Sequence, residues 1–421
     1  MEETPIQQFY KETNIFITGG TGFMGKILIE KLLRSTQADT LYLLIREKKG
    51  KNMHVRMDEL FDNVIFGRLK KEHPKFKHRV VGIAGDCSVS GLGLSITDRQ
   101  TLISKVNIVF HVAATVRFDE NLKLAYNINV NGAKDVIDLA RQIKNLKSMV
   151  HVSTAYSNCP SKEIDEKIYE CPVAYDNVKA LIEKISKKDA EILTPRIIGK
   201  WPNTYTFTKF LAESMIKDLG GGLPVAIFRP SIVISTYREP IEGWIDNLYG
   251  PTGVCAGALS GVLRVSFCSE EKVADIVPVD MCVSGLIAAA WDVSSKKCEM
   301  SSEVSVYNYV STPENPITWK ESIELNFIHG REYPSINSIW EVCVIFTSNL
   351  YVYWFLTIFL HTLPGLIIDC FTLITGNKPR MLKIYKKVHK FSIILSYFST
   401  RSWIFSNKKH EKFVGKTGSE G

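Results

Sequence analysis

Three glycines at three-residue spacing, Gly19, Gly22 and Gly25, separate a β-rich apolar run, Asn14 to Thr18, from an amphipathic helical pattern, Lys26 to Arg34. Ile27, Leu28, Ile29 and Leu32 would form the inward stripe of that helix. Few folds need glycine this often at this place. A strand that enters a helix through a tight glycine turn brings backbone N–H groups and the positive end of the helix dipole to one point, where an anion binds. Glycine is required where the chain turns sharply, where a phosphate meets the backbone and where the helix packs on the strand. The spacing is G-x-x-G-x-x-G, with Gly20 adjoining, and not the G-x-G-x-x-G of many dehydrogenases. A plain glycine turn would show the same triplet. The strand before it and the helix after it point instead to a dinucleotide pyrophosphate, held by Thr18, Gly19, Gly22, Phe23, Met24 and Gly25.

The alternation then continues. Thr40 to Ile45 reads as a second buried strand ending at Arg46, with Glu47, Lys48 and Lys49 after it. An acidic residue near this place holds the ribose 2′-hydroxyl of NAD, whereas an arginine suits the 2′-phosphate of NADPH. A solvated run of charges is the plainer alternative. Arg79 to Ala84 is a third strand, followed by Asp86, which can accept from an adenine amino group or simply form the turn. Val106 to His111 is a fourth, leading into Ala113 and Ala114, small enough for a cofactor to lie close to the backbone. His111 reads as strand packing more than as a base. A long helix is expected over Leu122 to Lys144, and Ser148 to Val152 is a fifth strand ending at Ser153 and Thr154. Strands alternating with helices imply right-handed crossovers and a doubly wound, Rossmann-type parallel α/β sheet, whose chemistry lies beyond the carboxyl ends of its strands.

Residues 158–200 form a Lys- and Glu-rich helical insertion, with Pro160, Pro172 and Pro195 as expected breaks. A helix follows within Trp201 to Leu219, and on it Tyr205 and Lys209 stand four apart, on one face. Val225 to Phe228 is a sixth strand, and Asp275 to Val279 resumes the alternation. A carbonyl that receives hydride gains negative charge and needs a positioned proton donor. Tyr205 can be that donor if the Lys209 ammonium favours its phenolate. Ser153 or Thr154 would hold the carbonyl oxygen. A Tyr/Lys pair of this spacing also occurs as helix decoration; its place after a nucleotide-binding half sets it apart.

The stretches TGGTGFMGK, LLIREKKG, AGD, NVNGAK, HVSTAYSN, YTFTKFLAE, FRPSIV, EPIEGWIDNLYGPTG, DIVPVDM and YNYVSTPENPITW run in order over most of residues 14–320. Together they resemble an extended short-chain dehydrogenase, and more closely an alcohol-forming fatty acyl-CoA reductase. The resemblance implies reduction of a long-chain acyl-CoA to the primary alcohol with two NADPH, through an aldehyde. It requires no cysteine nucleophile, and the nine scattered cysteines contain no C-x-x-C pair and no zinc spacing, so no metal is expected.

At 421 residues the chain is long enough for two domains: a reductase domain over 1–320 and a smaller, mainly helical hydrophobic domain over 321–421. Its polar N-terminus is expected to enter the first strand almost at once. The net charge of +8 is modest, and no nucleic-acid partner is expected. Ile339 to Leu360 holds 22 residues with one charge, Glu341, before Pro364 breaks the run. About 20 apolar residues span a bilayer, so a transmembrane helix is expected; a buried hairpin is the alternative. Lys378, Arg380, Lys383, Lys386, Lys387 and Lys390 follow, as suits the cytosolic face of a lipid membrane. The catalytic domain would then face the cytosol, at the endoplasmic reticulum or the peroxisome. HTLPGLIIDCF, KIYKKVHKF and SYFSTRSWIFSN are similar to the family's C-terminal domain. Family members usually continue further, so a C-terminally truncated form is expected. Two other readings keep these motifs: a dehydrogenase of a sterol or other lipid carbonyl, and a non-catalytic NADP-binding membrane protein.

Overall fold

A computed structural model describes residues 3–296, 303–334, 336 and 338–409. It divides into two compact units: Met1–Ile245 with Val277–Val310 and Phe405–Gly421, and Asp246–Ile276 with Ser311–Ile404.

The first unit is built on a seven-stranded sheet. Its strands are β1 (Asn14–Thr18), β2 (Thr40–Ile45), β3 (Val80–Ala84), β4 (Ile108–His111), β5 (Ser148–Val152), β6 (Val225–Pro230) and β7 (Ser305–Tyr309). The order is β7-β6-β5-β4-β1-β2-β3, and every neighbouring pair is parallel. Parallel strands are covered on both faces and so read as apolar runs, which is why they were visible in the sequence. Side chains alternate between two cores. Ile15, Ile17, Val150 and Phe228 enter one, with Leu28 and Leu32 of α1 (Phe23–Ser35) and Leu286 of a later helix. Phe16, Met149 and Ile227 enter the other, with Val130 and Val136 of α2 (residues 122–140) and Leu211 and Met215 of α3 (Thr204–Leu219). Helix α2 covers 122–140 and passes through a π turn at Asn127–Asn131. The chain leaves β1 toward β2 and β3, then returns to lay β4 on β1's other side. This reversal at β1 and β4 is the switch point beyond whose strand ends an open α/β sheet takes its ligand.

Four expectations about this unit change. A short helix, Pro5–Tyr10, precedes β1, and its buried Tyr10 hydroxyl donates to Ile287 O at 2.9 Å. Pro195 lies inside the helix Lys187–Ile198 and does not end it. Helix α2 stops at Ala140, short of Lys144. The strand Ile276–Pro278 stands outside the main sheet, whose seventh strand is β7. The alternating pattern of SVYNY is too short and too polar to announce a central-sheet strand.

The second unit holds the helices Pro251–Leu259 and Trp319–Glu332, α4 (Leu350–Ile374) and α5 (Met381–Ser399). Val265–Phe267 pairs in parallel with Ile345–Thr347. The apolar helix therefore runs over 350–374 and not 339–360, and Pro364 does not break it. The π turn Ile358–Thr362 immediately before Pro364 widens the helix there, so a residue without an N–H can be passed.

Candidate active site

The glycine loop is as tight as a backbone allows. Gly19 has φ +76°, and a Cβ there would lie 2.6 Å from Ala113 N. A Cβ on Gly25 would lie 2.2 Å from Gly19 O. Gly22 caps α1 in extended conformation and has no side chain to bond the first turn, and that turn holds no acidic residue. The helix end is thus left open to an anion. Thr18 has another task. Its buried hydroxyl lies 2.7 Å from His111 Nδ1 and accepts from Ala113 N at 3.3 Å, which ties the ends of β1 and β4 together. Phe23 stacks on Trp244 with centroids 5.6 Å apart, and Met24 packs on the core.

Beside β2, Arg46 is half-exposed and its guanidinium lies 3.8 Å from Asp86. Asp86 also accepts from Ser88 N at 2.8 Å, so it forms the turn as well. The helix Met53–Phe61 brings in Arg56, which sequence reasoning missed. Arg56 donates to Arg46 O and, at 3.2 Å, to Thr21 Oγ1 of the glycine loop. Desolvation and the neighbouring Arg46 lower the basicity of Arg56; desolvation, Arg46 and Arg56 lower that of Lys48. Cations held against their mutual repulsion make a site for a dianion.

The second half of the site rests on α3, capped by Asn203, whose side chain accepts from Thr206 N at 2.9 Å. Tyr205 lies beside the Thr154 side chain and stacks on Phe118 at 5.9 Å. One turn on, the buried Lys209 donates from Nζ to Val152 O at 2.7 Å. Burial brings Lys209 down to about 8, against the opposing pull of Glu213. Burial pushes the Tyr205 phenol up to about 12, with the Thr154 side chain opposing. The expected depression of Tyr205 by Lys209 is not found; burial sets the direction of the shift. Ser153 is also engaged: its hydroxyl donates to Glu213 Oε1 at 2.5 Å, which leaves Thr154 as the hydroxyl on the tyrosine side.

Glu213 is a second residue the sequence did not reveal, though its spacing of eight from Tyr205 puts it on the same helix face. It forms a buried bidentate pair with Arg229, Nε to Oε1 at 2.9 Å and Nη2 to Oε2 at 2.6 Å. Ser157 Oγ donates to it at 2.9 Å. Asn129, on the π turn of α2, accepts from Thr115 N at 3.0 Å and donates to Thr208 Oγ1 at 2.9 Å, joining the loop after β4 to α3. His111 and His151 lie 5.1 Å apart with their rings tilted by 30°, and burial takes His111 down to about 3. A base at neutral pH is not available there. Burial likewise pushes the Cys87 thiol up to about 12.

Known proteins bear on this arrangement. The NAD-binding family described as male sterility protein matches residues 17–286, and a second male sterility protein family matches residues 360–420. The chain is 48% identical to the fatty acyl-CoA reductase wat of Drosophila melanogaster, over 99% of this chain and 80% of that protein. It is 39% identical to fatty acyl-CoA reductase 1 of Mus musculus, over 95% of this chain and 78% of that protein. Among solved structures, the terminal R domain from the myxalamid PKS-NRPS biosynthetic pathway superposes with a TM-score of 0.62 at 20% identity. That superposition covers 97% of this chain and 86% of the other, and shows the same fold.

Proposed function

Because the chain belongs to the fatty acyl-CoA reductase family, we propose that it reduces a long-chain acyl-CoA to the primary alcohol and free CoA at the face formed by Tyr205, Thr154 and Lys209. It is an oxidoreductase of fatty acyl-CoA that uses a nicotinamide cofactor. NADPH, two per alcohol, is the proposed form, supported by Arg46 directly after β2 and by Arg56 beside it. The likeness to named acyl-CoA reductases favours this substrate over a sterol or other lipid carbonyl.

The open end of α1 and the Gly19–Gly25 cradle fit a pyrophosphate, and a bound nicotinamide would supply hydride. This chain's own residues handle oxygen and proton. Thr154 Oγ1 and the Tyr205 hydroxyl meet the carbonyl oxygen as it becomes an oxyanion. An alkoxide is more basic than a phenolate, so a donor near 12 stays protonated until the oxyanion forms and then gives its proton. The resulting hemithioacetal returns its hydroxyl proton to the Tyr205 phenolate as it expels CoA thiolate, which leaves an aldehyde and a tyrosine again protonated. A second reduction at the same oxygen gives the alcohol. Lys209, near 8 and one helical turn from Tyr205, supplies the positive charge that lets the tyrosine be used again.

The placing of Tyr205 beside Thr154 at the end of β5, with Lys209 one helical turn on and bonded to Val152 O, carries this reading. Tyr205→Phe tests it. With NADPH and a long-chain acyl-CoA, alcohol formation should fall about 10²–10⁴-fold while NADPH binding is unchanged. A variant that keeps its rate overturns the assignment. We also propose that the enzyme works on a membrane with its catalytic unit in the cytosol, as the apolar α4 and its basic sequel suggest. The endoplasmic reticulum and the peroxisome fit equally.

A further inference from the structure

The membrane reading rests on α4, and the way its residues are distributed is specific. At 25 residues it is about 37 Å long, enough to cross a hydrocarbon layer of about 30 Å. Yet the helix is turned inside out. Tyr353, Thr357, His361, Gly365 and Asp369, every fourth residue, point inward and are buried. Phe355, Ile358, Phe359, Leu366, Ile367 and Phe371 point outward and are 48–67% exposed. A helix on a water-soluble protein shows the reverse pattern, so this outward face needs an apolar medium.

The inward face fixes how far that medium can reach. His361 Nε2, halfway along α4, accepts the backbone N–H of Arg264 at 2.9 Å and of Val265 at 3.2 Å. Asp369 accepts the N–H groups of Arg380, Met381 and Leu382 at 2.8, 2.8 and 3.0 Å, and so caps α5. A Cβ on Gly365 would lie 2.8 Å from the Tyr385 ring, and His361 Nδ1 lies 2.9 Å from His389 Nε2. Helix α5 therefore runs antiparallel along α4, with 369 beside 381, 365 beside 385 and 361 beside 389. Lys383, Lys386, Lys387 and Lys390 are exposed at the same level as the middle of α4. Were α4 to cross a bilayer, these lysines and Arg264 would be carried toward its centre, where cations are least tolerated.

We propose that α4 lies in the plane of an anionic lipid surface, its outward face sunk among the acyl chains and the α5 lysines on the headgroups, without crossing the bilayer. This deepens the membrane association proposed above and rests on it; it does not depend on the reductase assignment. Apolar area and basic charge on one helical pair are the two elements of interfacial binding.

The test uses the full chain and vesicles of phosphatidylcholine, with or without phosphatidylserine. Flotation should show binding that depends on the anionic lipid. Lys383→Gln/Lys386→Gln/Lys387→Gln should weaken it on the order of a hundredfold, and Phe355→Ser/Ile367→Ser/Phe371→Ser should abolish it. Topology is read with a membrane-impermeant maleimide, mapped residue by residue on a Lys378→Cys variant. Cys343 and the new cysteine, which flank α4, should both react from outside intact vesicles, while the outward Cys370 should be shielded. Reaction at one flank only until the vesicles are opened would show a crossing and overturn the proposal. So would binding indifferent to phosphatidylserine, or a serine variant that still floats but converts a dimer to a monomer in lipid-free solution. Acyl-CoA reduction, measured in parallel with a soluble medium-chain substrate, should be unchanged in both surface variants. Loss of that activity in the parent chain would bear on the reductase reading alone.

Discussion

Replacing Glu213 by glutamine removes one negative charge from a place where the structure counts on it. The carboxylate takes two hydrogen bonds from Arg229 and one each from Ser153 and Ser157, and the Arg229 side chain has no solvent exposure. Glutamine keeps one acceptor and turns an amide donor toward a cluster of donors. Arg229 keeps at most the amide oxygen and the carbonyls of Asp165 and Lys167, at 3.0 and 2.9 Å, and loses its counter-charge. Leaving one member of a buried ion pair uncompensated costs about 3–5 kcal/mol. That is a large share of a typical domain's ~5–15 kcal/mol. Urea unfolding of Glu213→Gln, followed by tryptophan fluorescence and by loss of NADPH binding, should show a midpoint shift of that size. Adding Arg229→Met should recover part of it, with a coupling energy of about 2 kcal/mol or more. Catalysis supplies an independent readout. Glu213 holds the Lys209 ammonium up, so its loss lets the lysine fall further below about 8. Function that needs the ammonium is lost as pH rises through that pKa, and the alkaline limb of kcat/KM should move to lower pH. A variant within ~1 kcal/mol of the parent, with an unmoved alkaline limb, would refute the reasoning.

Gly25→Ala should abolish cofactor binding, measured by fluorescence titration, because its Cβ would overlap Gly19 O and open the loop. Arg56→Ala should raise KM for NADPH about tenfold, the effect of losing one charge-assisted hydrogen bond, and leave KM for NADH unchanged; equal effects on both would remove Arg56 from the 2′-phosphate. His111, buried and held near 3, binds its proton in the unfolded chain first. Its stabilising contribution is therefore present above about 6.5 and is lost as pH falls toward 3, at no more than about 1.4 kcal/mol per pH unit. His111→Asn should flatten that part of a stability-against-pH curve obtained by denaturant titration.

The nucleotide half was open to reading because its requirements are local. The glycine spacing is dictated by contacts within a few residues, such as Gly25 against Gly19, and the apolar strands by burial on both faces. Tyr205 and Lys209 were readable from the period of one helix. What stayed hidden depends on contacts distant in sequence. Arg56 reaches the glycine loop across 35 residues, and Arg229 meets Glu213 across 16. The engagement of Ser153 by Glu213 spans 60, so sequence could not separate Ser153 from Thr154. The fate of the Lys209 ammonium was hidden for the same reason, since its acceptor is a backbone carbonyl. The apolar C-terminal helix was visible as composition, but its limits depend on a π turn that lets Pro364 pass.

Helix α3 carries Tyr205, Lys209 and Glu213 at intervals of four, so proton donor, cation and the anchor of that cation are spokes of one axle. Inserting or deleting one residue in that helix turns everything beyond it by about 100° and takes some of these groups out of the site together. Length variation is thus barred from Thr204–Leu219, while 158–200, just ahead of it, can lengthen or shorten without turning the axle. Diversification of such an enzyme is channelled into its loops, and the helix is inherited whole or lost whole.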